Sequence, residues 1–220
     1  MTLKEIMLFC LELLFPPHCV FCDKVIAPGT KICKLCANSI VPVNAVRCMN
    51  LTGYGQNIPC IVLYPYENQV RDSIIRFKFH GEKRYAYFYA EQLAKLIAKQ
   101  SSLPVVDVVT AVPISRERKQ KRGYNQSELI AKKVAVLLNL PFDDCLEKIR
   151  DNPEQHWLPR LERIENVKGV YRADEKKTAG KNILLIDDIV TTGSTLSECA
   201  SVLLTGGART VVCAAVAQAN

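Results

Sequence analysis

Two adjacent carboxylates, Asp187 and Asp188, separate an aliphatic run, Ile183-Leu184-Leu185-Ile186, from a hydroxyl-rich turn, Ile189-Val190-Thr191-Thr192-Gly193-Ser194-Thr195. Carboxylates are acceptors only, so the pair can take hydrogen bonds from two vicinal hydroxyls, and it can favour a nearby Mg²⁺. The same charge repels a phosphate. That task falls to the turn, where the hydroxyls and backbone N–H groups of Thr191 to Thr195 can surround an anion and Gly193 lets the backbone approach closely. Diol acceptors beside an anion cradle are the chemistry of a phosphorylated sugar. The bland alternative is a strand, turn and helix with a solvated acidic pair.

A second constellation lies near the N-terminus. Of ten cysteines, seven precede residue 61, and four of them form Cys19-x2-Cys22 and, ten residues on, Cys33-x2-Cys36. Each C-x2-C pair brings two thiolates to one ion, and two pairs complete a tetrahedral sulfur shell of the structural zinc type. Pro28-Gly29 is a turn signal that lets the pairs face each other. His18 is adjacent and can replace a thiolate, and free or disulfide-linked cysteines are the other reading. Four protein ligands leave no open position, so the metal is structural. Cys48 and Cys60 lack the paired spacing and read as buried thiols.

These groups need a frame. A chain of 220 residues, 49% hydrophobic and 23% charged, can bury a core, which excludes disordered, collagenous and coiled-coil proteins. Four consecutive aliphatics before the acid pair predict a strand buried on both faces, as in a parallel sheet. Leu196, Ala200, Leu203 and Leu204 predict the helix that follows it. Further strands are expected at Ile61 to Tyr66, at Asp107 to Val112 ending at Pro113, and at Thr210 to Ala217. Helices are expected at Glu67 to Phe79, stopped by His80-Gly81, and at Tyr85 to Ala98, whose tyrosines and Phe88 read as core. Another runs to Leu138, capped by Asn125 or Ser127.

Five cations in seven positions, Arg116, Arg118, Lys119, Lys121 and Arg122, follow Pro113. They suit a mobile loop that closes on pyrophosphate, although a solvated helix start or a nucleic-acid contact are open alternatives. Tyr124 is the sole aromatic there, so base stacking has little support. Trp157 sits in a loop entering a helix with Arg160, Glu162 and Arg163. Leu3 to Leu14 reads as a short amphipathic helix ending at Pro16-Pro17. It carries Glu5 and Glu12, which do not suit a signal peptide, and it is too short to span a bilayer. A cytoplasmic protein with reduced thiols and no stable membrane insertion is therefore expected. The net charge of +7 is compatible with anionic partners and selects none.

The stretch Ile183 to Thr195 resembles the 13-residue phosphoribosyl pyrophosphate motif of type I phosphoribosyltransferases. Leu13-Leu14-Phe15-Pro16-Pro17-His18-Cys19-x2-Cys22 resembles the opening of the ComF/GntX family. Tyr64 to Lys83, Arg122-Gly123-Tyr124-Asn125-Gln126, Gln155-x2-Leu158, Arg163-x2-Asn166-Val167 and Gly169-x-Tyr171 are similar to further blocks of that family. One departure is Arg47-Cys48-Met49-Asn50-Leu51, which keeps only the first cysteine of a second C-x2-C found in many relatives.

The resemblance implies an α/β protein with the type I phosphoribosyltransferase fold, a parallel sheet flanked by helices. It implies a small N-terminal four-cysteine, zinc-ribbon-like element over residues 1–60 and the main domain over 61–220. Asp187 and Asp188 would hold the ribose with Mg²⁺ as the catalytic pair, and Val190 with Thr191, Thr192, Gly193, Ser194 and Thr195 would hold the 5′-phosphate. Arg116, Lys121 and Arg122 would sit near pyrophosphate. The zinc of Cys19, Cys22, Cys33 and Cys36 would be structural. The family is associated with DNA uptake in bacterial competence, so imported single-stranded DNA and a competence helicase are implied partners. Both a transferase and a ligand-binding regulator fit this resemblance. A DNA-binding module that uses Arg118, Lys119 and Arg122 beside a vestigial nucleotide pocket is the alternative.

Overall fold

Ile183, Leu184, Leu185 and Ile186 have no solvent exposure, which is what an aliphatic run in the middle of a parallel sheet requires. They belong to the central strand of a computed structural model that describes residues 16–43, 45–50, 57–151 and 166–219. The expected N-terminal helix at Leu3 to Leu14 and the Trp157 loop lie outside the described residues.

The elements run in order α1 (Lys34–Ser39), β1 (Ala45–Asn50), β2 (Asn57–Pro65), α2 (Asn68–Phe79), α3 (Tyr85–Ala98), β3 (Val108–Ala111), α4 (Arg116–Arg122) and α5 (Gln126–Leu137). They continue with β4 (Leu146–Lys148), β5 (Tyr171–Ala173), α6 (Glu175–Thr178), β6 (Asn182–Val190), α7 (Ser194–Thr205) and β7 (Thr210–Gln218). Five strands make one sheet in the order β1-β2-β7-β6-β3. The β2–β7, β7–β6 and β6–β3 pairs are parallel, and β1 closes the edge antiparallel to β2. β4 and β5 form a separate antiparallel ribbon.

Successive residues of β6 feed opposite faces. Leu184 and Ile186 join a core with Phe77, Tyr89 and Leu93, whereas Ile183 and Leu185 join Leu196, Cys199 and Leu203 on the other side. The strand thus has a helical layer on each face, and its C-terminal end is carried to a fixed point between α2, α5 and α7. The apolar pattern of α2 is as expected, with Val70, Ile74 and Phe77 buried, and Gly81 adopts the left-handed φ of 74° just past its end. In α3, Tyr85, Phe88 and Tyr89 are core. Tyr87 instead is 45% exposed, with the Lys31 ammonium 4.3 Å from its ring centre.

The cysteine element docks on the same core. Phe21 is buried, in edge-to-face contact with Tyr64 at 5.5 Å and Phe88 at 5.4 Å. Arg76 on α2 donates to the Phe21 carbonyl at 2.5 Å and the Val20 carbonyl at 3.2 Å. The segment between Cys19 and Cys22 is therefore tied to the helical layer by both apolar and charged contacts. No helix among the described residues is long and apolar enough to cross a membrane.

Candidate sugar-phosphate and metal sites

Asp187 and Asp188 follow the fully buried run 183–186 of β6, but they sit in different surroundings. Asp187 Oδ1 accepts from Ser127 Oγ at 2.8 Å and from the Asp188 backbone N–H at 2.8 Å. It keeps a little exposure while protein surrounds it on most sides. Burial, with Asp188 next to it, pushes its pKa up to about 7, against the pull of Ser127 and Lys78. Asp188 is 8% exposed and pairs with the Lys78 ammonium at 2.9 Å. Open acidic acceptors were expected; in this structure one is bonded to a hydroxyl and the other to an ammonium.

Ser127 reaches Asp187 because Asn125 caps α5. The Asn125 amide oxygen accepts from Ser127 N at 3.1 Å, and its Nδ2 donates to the Val112 carbonyl at 3.0 Å. Of the two expected caps, Asn125 does the capping, which leaves the Ser127 hydroxyl for the acid. Tyr124 beside it donates to the Phe77 carbonyl, and Gln126 Nε2 donates to the Lys78 carbonyl at 3.4 Å. The Gly-Tyr-Asn-Gln segment thus joins α2 to the residue after β3, and Ser127 next to it reaches β6.

The turn after β6 has the expected form. Gly193 has φ 81°, in the left-handed region, and α7 starts at the next residue. Thr192 Oγ1 and Ser194 Oγ are 2.6 Å apart, and Ser194 N donates to Thr192 Oγ1 at 3.4 Å. Thr191, Thr192 and Thr195 are half-buried, so the turn is neither locked in the core nor free on the surface. The positive end of the α7 dipole faces this turn.

The basic run differs from expectation. Arg116 to Arg122 form α4, a seven-residue helix capped by Ser115 Oγ, which accepts from Arg118 N at 3.2 Å, and ended by Gly123 at φ 75°. A capping serine, long straight side chains and a terminal glycine favour a helical turn over an open loop. Its cations are distributed over different surroundings. Arg122 lies 5.0 Å from the Phe79 ring centre, next to Lys78, and Lys119 pairs with Glu128 at 3.0 Å. Arg116 lines a cleft of about 1000 Å³ with Pro113, Lys119, Glu128 and Lys148. Neither the acid pair nor the Thr191 to Thr195 turn lines that cleft. Lys121 is exposed.

Sequence reasoning missed Lys78, Ser127 as a partner of Asp187, and Lys148. Burial and the nearby Arg118 push Lys148 down to about 8. The signal for Lys78 was a lysine adjoining the buried Phe77, one position past the apolar stripe of its helix.

The four cysteine sulfurs of Cys19, Cys22, Cys33 and Cys36 lie within 4.8 Å of one another. Cys22 Sγ and Cys33 Sγ are 3.7 Å apart. A tetrahedral zinc shell spaces its sulfurs by about 3.8 Å, whereas a disulfide needs about 2.05 Å. The backbone N–H groups of Cys33 and Cys36 point at Cys19 Sγ (3.3 Å) and Cys33 Sγ (3.4 Å), an arrangement that favours thiolates. The Cys36 N–H bond draws the Cys33 thiol down to about 7, while burial pushes Cys36 up. The donor set fits structural zinc. His18 is turned away, its Nδ1 2.7 Å from the Asp23 carbonyl. Cys60 is buried, as expected. Cys48 falls in β1, opposite Pro59.

Residues 125–220 match the phosphoribosyl transferase domain family, and residues 10–54 match the double zinc ribbon domain family. The DNA utilization protein YhgH of Escherichia coli O157:H7 is 28% identical over 199 residues, covering 88% of this chain and 86% of that protein. The competence protein ComFC of Bacillus subtilis is 24% identical over 222 residues, covering 86% and 89%. Over most of its length the chain is a homologue of proteins named ComFC and YhgH. A YhgH protein of Salmonella typhi is 37% identical over 118 residues, and there the matched part spans 52% of that relative, about half its length. Among solved structures, an adenine phosphoribosyltransferase shares 13% identity over 80% of this chain and 85% of its own, with a TM-score of 0.41. A B. subtilis glutamine phosphoribosylpyrophosphate amidotransferase shares 24% identity over 59% of this chain and 26% of its own, with a TM-score of 0.40. The fold is that of a type I phosphoribosyltransferase domain with an N-terminal zinc-ribbon element. The ribbon family is double, and one four-cysteine cluster stands among the described residues.

Proposed function

We propose that this protein is of the ComF/GntX type and binds phosphoribosyl pyrophosphate, or a related nucleotide, near the C-terminal end of β6. The observation that carries this reading is the junction itself: two acids near the C-terminal end of β6, followed after four residues by a left-handed glycine and a hydroxyl-bearing helix start. Asp187 and Asp188 accept the ribose hydroxyls. Backbone N–H groups and hydroxyls from Val190 to Thr195 hold the 5′-phosphate. Arg116, Lys121 and Arg122 are the α4 cations we assign to pyrophosphate; Arg116 lines the neighbouring cleft and Lys121 is exposed. The carboxylate oxygens suit Mg²⁺, which would neutralise charge on the pyrophosphate. If transfer occurs, it proceeds by loss of pyrophosphate from a cation-like sugar carbon, favoured by the cations around the leaving group. Residues 1–60 act as a zinc-held frame, and residues 61–220 carry the ligand.

The test is ligand-induced stabilisation. With Mg²⁺ and phosphoribosyl pyrophosphate at about 100 times the dissociation constant, unfolding free energy rises by roughly 2.7 kcal/mol. Changing Asp187 and Asp188 to Asn removes the rise. A wild-type protein with no shift ends this reading. Pyrophosphate release with bases, amines or ammonia separates turnover from binding alone.

The relatives' names, competence proteins and DNA utilization proteins, support a role in DNA uptake; single-stranded DNA and a competence helicase are the partners we propose for it. The free thiols fit a cytoplasmic location. Direct DNA contact would use Arg118, Lys119 and Arg122. It predicts DNA affinity that falls steeply with salt and is lost when those three charges are reversed.

A further inference from the structure

We propose that Lys78, on α2 and outside residues 125–220, is a ligand-site residue: the cation that makes the Asp187 and Asp188 pair acceptable to a pyrophosphorylated sugar. The proposal rests on the ligand reading above, and its test is arranged so that the two can fail separately.

The position of Lys78 is held from both sides. Arg76 donates to the carbonyls of Val20 and Phe21, Tyr124 donates to the Phe77 carbonyl, and Gln126 donates to the Lys78 carbonyl. Three consecutive residues at the end of α2 are thus tied to the cysteine element and to the segment before α5. The Lys78 side chain is only 16% exposed, and that of its partner Asp188 12%. A pair this secluded loses most of its hydration, and apolar residues of similar size would serve stability as well or better. Its value therefore lies in what the charges do.

A lone carboxylate at Asp188 would repel most strongly the anion placed closest to it, the pyrophosphate beside the diol, since the repulsion falls with distance. An ammonium 2.9 Å away cancels that charge without blocking the acceptor role, since a carboxylate has two oxygens and about four lone-pair sites. Lysine has three donors, so one bond to Asp188 leaves others for an anion. In phosphoribosyl pyrophosphate the pyrophosphate is on C1, next to the hydroxyl-bearing C2 and C3. If Asp188 takes those hydroxyls, a cation bound to Asp188 stands on the pyrophosphate side. Arg122, over the ring of Phe79, brings a second cation to this end of α2.

The test is calorimetric titration of the zinc-loaded full chain with phosphoribosyl pyrophosphate and, separately, with ribose 5-phosphate, which has the diol and the 5′-phosphate but no pyrophosphate. Lys78→Met should weaken the first ligand about tenfold or more and the second by less than about threefold, because a charge-assisted contact is lost only for the pyrophosphate. Lys78→Arg should keep the preference. If Lys78→Met does not fold, Lys78→Gln carries the comparison. Unchanged affinity of the neutral variant for phosphoribosyl pyrophosphate overturns the proposal, and so does an equal loss for both ligands, which marks a structural role. A wild-type chain that binds neither ligand removes the underlying reading and this proposal with it.

Discussion

Ser127 Oγ donates to Asp187 Oδ1 at 2.8 Å, joining the first turn of α5 to the end of β6 across 60 residues of chain. The bond favours the ionised acid, yet burial outweighs it and Asp187 stays raised to about 7. An acid whose folded pKa lies above its unfolded value binds more protons when folded, so stability falls as pH rises from about 4 to about 7 and then levels. Asp187→Asn lacks this titration. The variant should therefore gain on the wild type as pH rises between about 5 and 7, with the gap constant above, in urea unfolding at matched zinc loading. A gap independent of pH would contradict the raised Asp187.

Gly193 sits at φ 81° at the start of α7. Gly193→Ala forces an L side chain into the left-handed region, at a cost of about 1–2 kcal/mol. It also crowds the proposed phosphate cradle. The expected result is a modest drop in Tm together with loss of ligand-induced stabilisation; a variant that folds and binds as before would show the turn is not the cradle.

Phe21 lies between Cys19 and Cys22 and packs on Tyr64 and Phe88. Phe21→Ala should cost about 3–5 kcal/mol, as for other large aromatic truncations in a core. Denaturant unfolding measures it. A cost under about 1 kcal/mol would mean that the cysteine element contributes little to the stability of the sheet domain.

Arg76 supplies both donors to the Val20 and Phe21 carbonyls. Arg76→Met leaves those acceptors unpaired and should cost roughly 1–3 kcal/mol. The cysteine shell should then open more readily, so zinc passes faster to a chelating dye than from the wild type. Complete metal removal should lower the Tm of both proteins, since metal binding free energy is folding free energy in a segment this small.

What could be read along the chain and what could not divides on one physical distinction. The β6 strand, the turn after it and the Cys19, Cys22, Cys33, Cys36 shell are all local: periodicity, a glycine and two C-x2-C spacings specify them within a few residues. The same holds for α2 with its terminal Gly81, where short-range backbone preferences suffice. The basic run was less legible, because its five cations describe charge and say nothing of Ser115 and Gly123, whose cap and stop make Arg116 to Arg122 a helix. The state of the acids was not legible at all. Asp187 and Asp188 are neighbours in sequence with identical side chains. Only the folded chain brings Ser127 to one and Lys78 to the other, and only burial decides that Asp187 holds its proton to about 7. Electrostatics depends on distance and desolvation through space, so the sequence alone named the acids and the turn as candidate groups, while tertiary structure brought in Ser127 and Lys78 and assigned partners and charges.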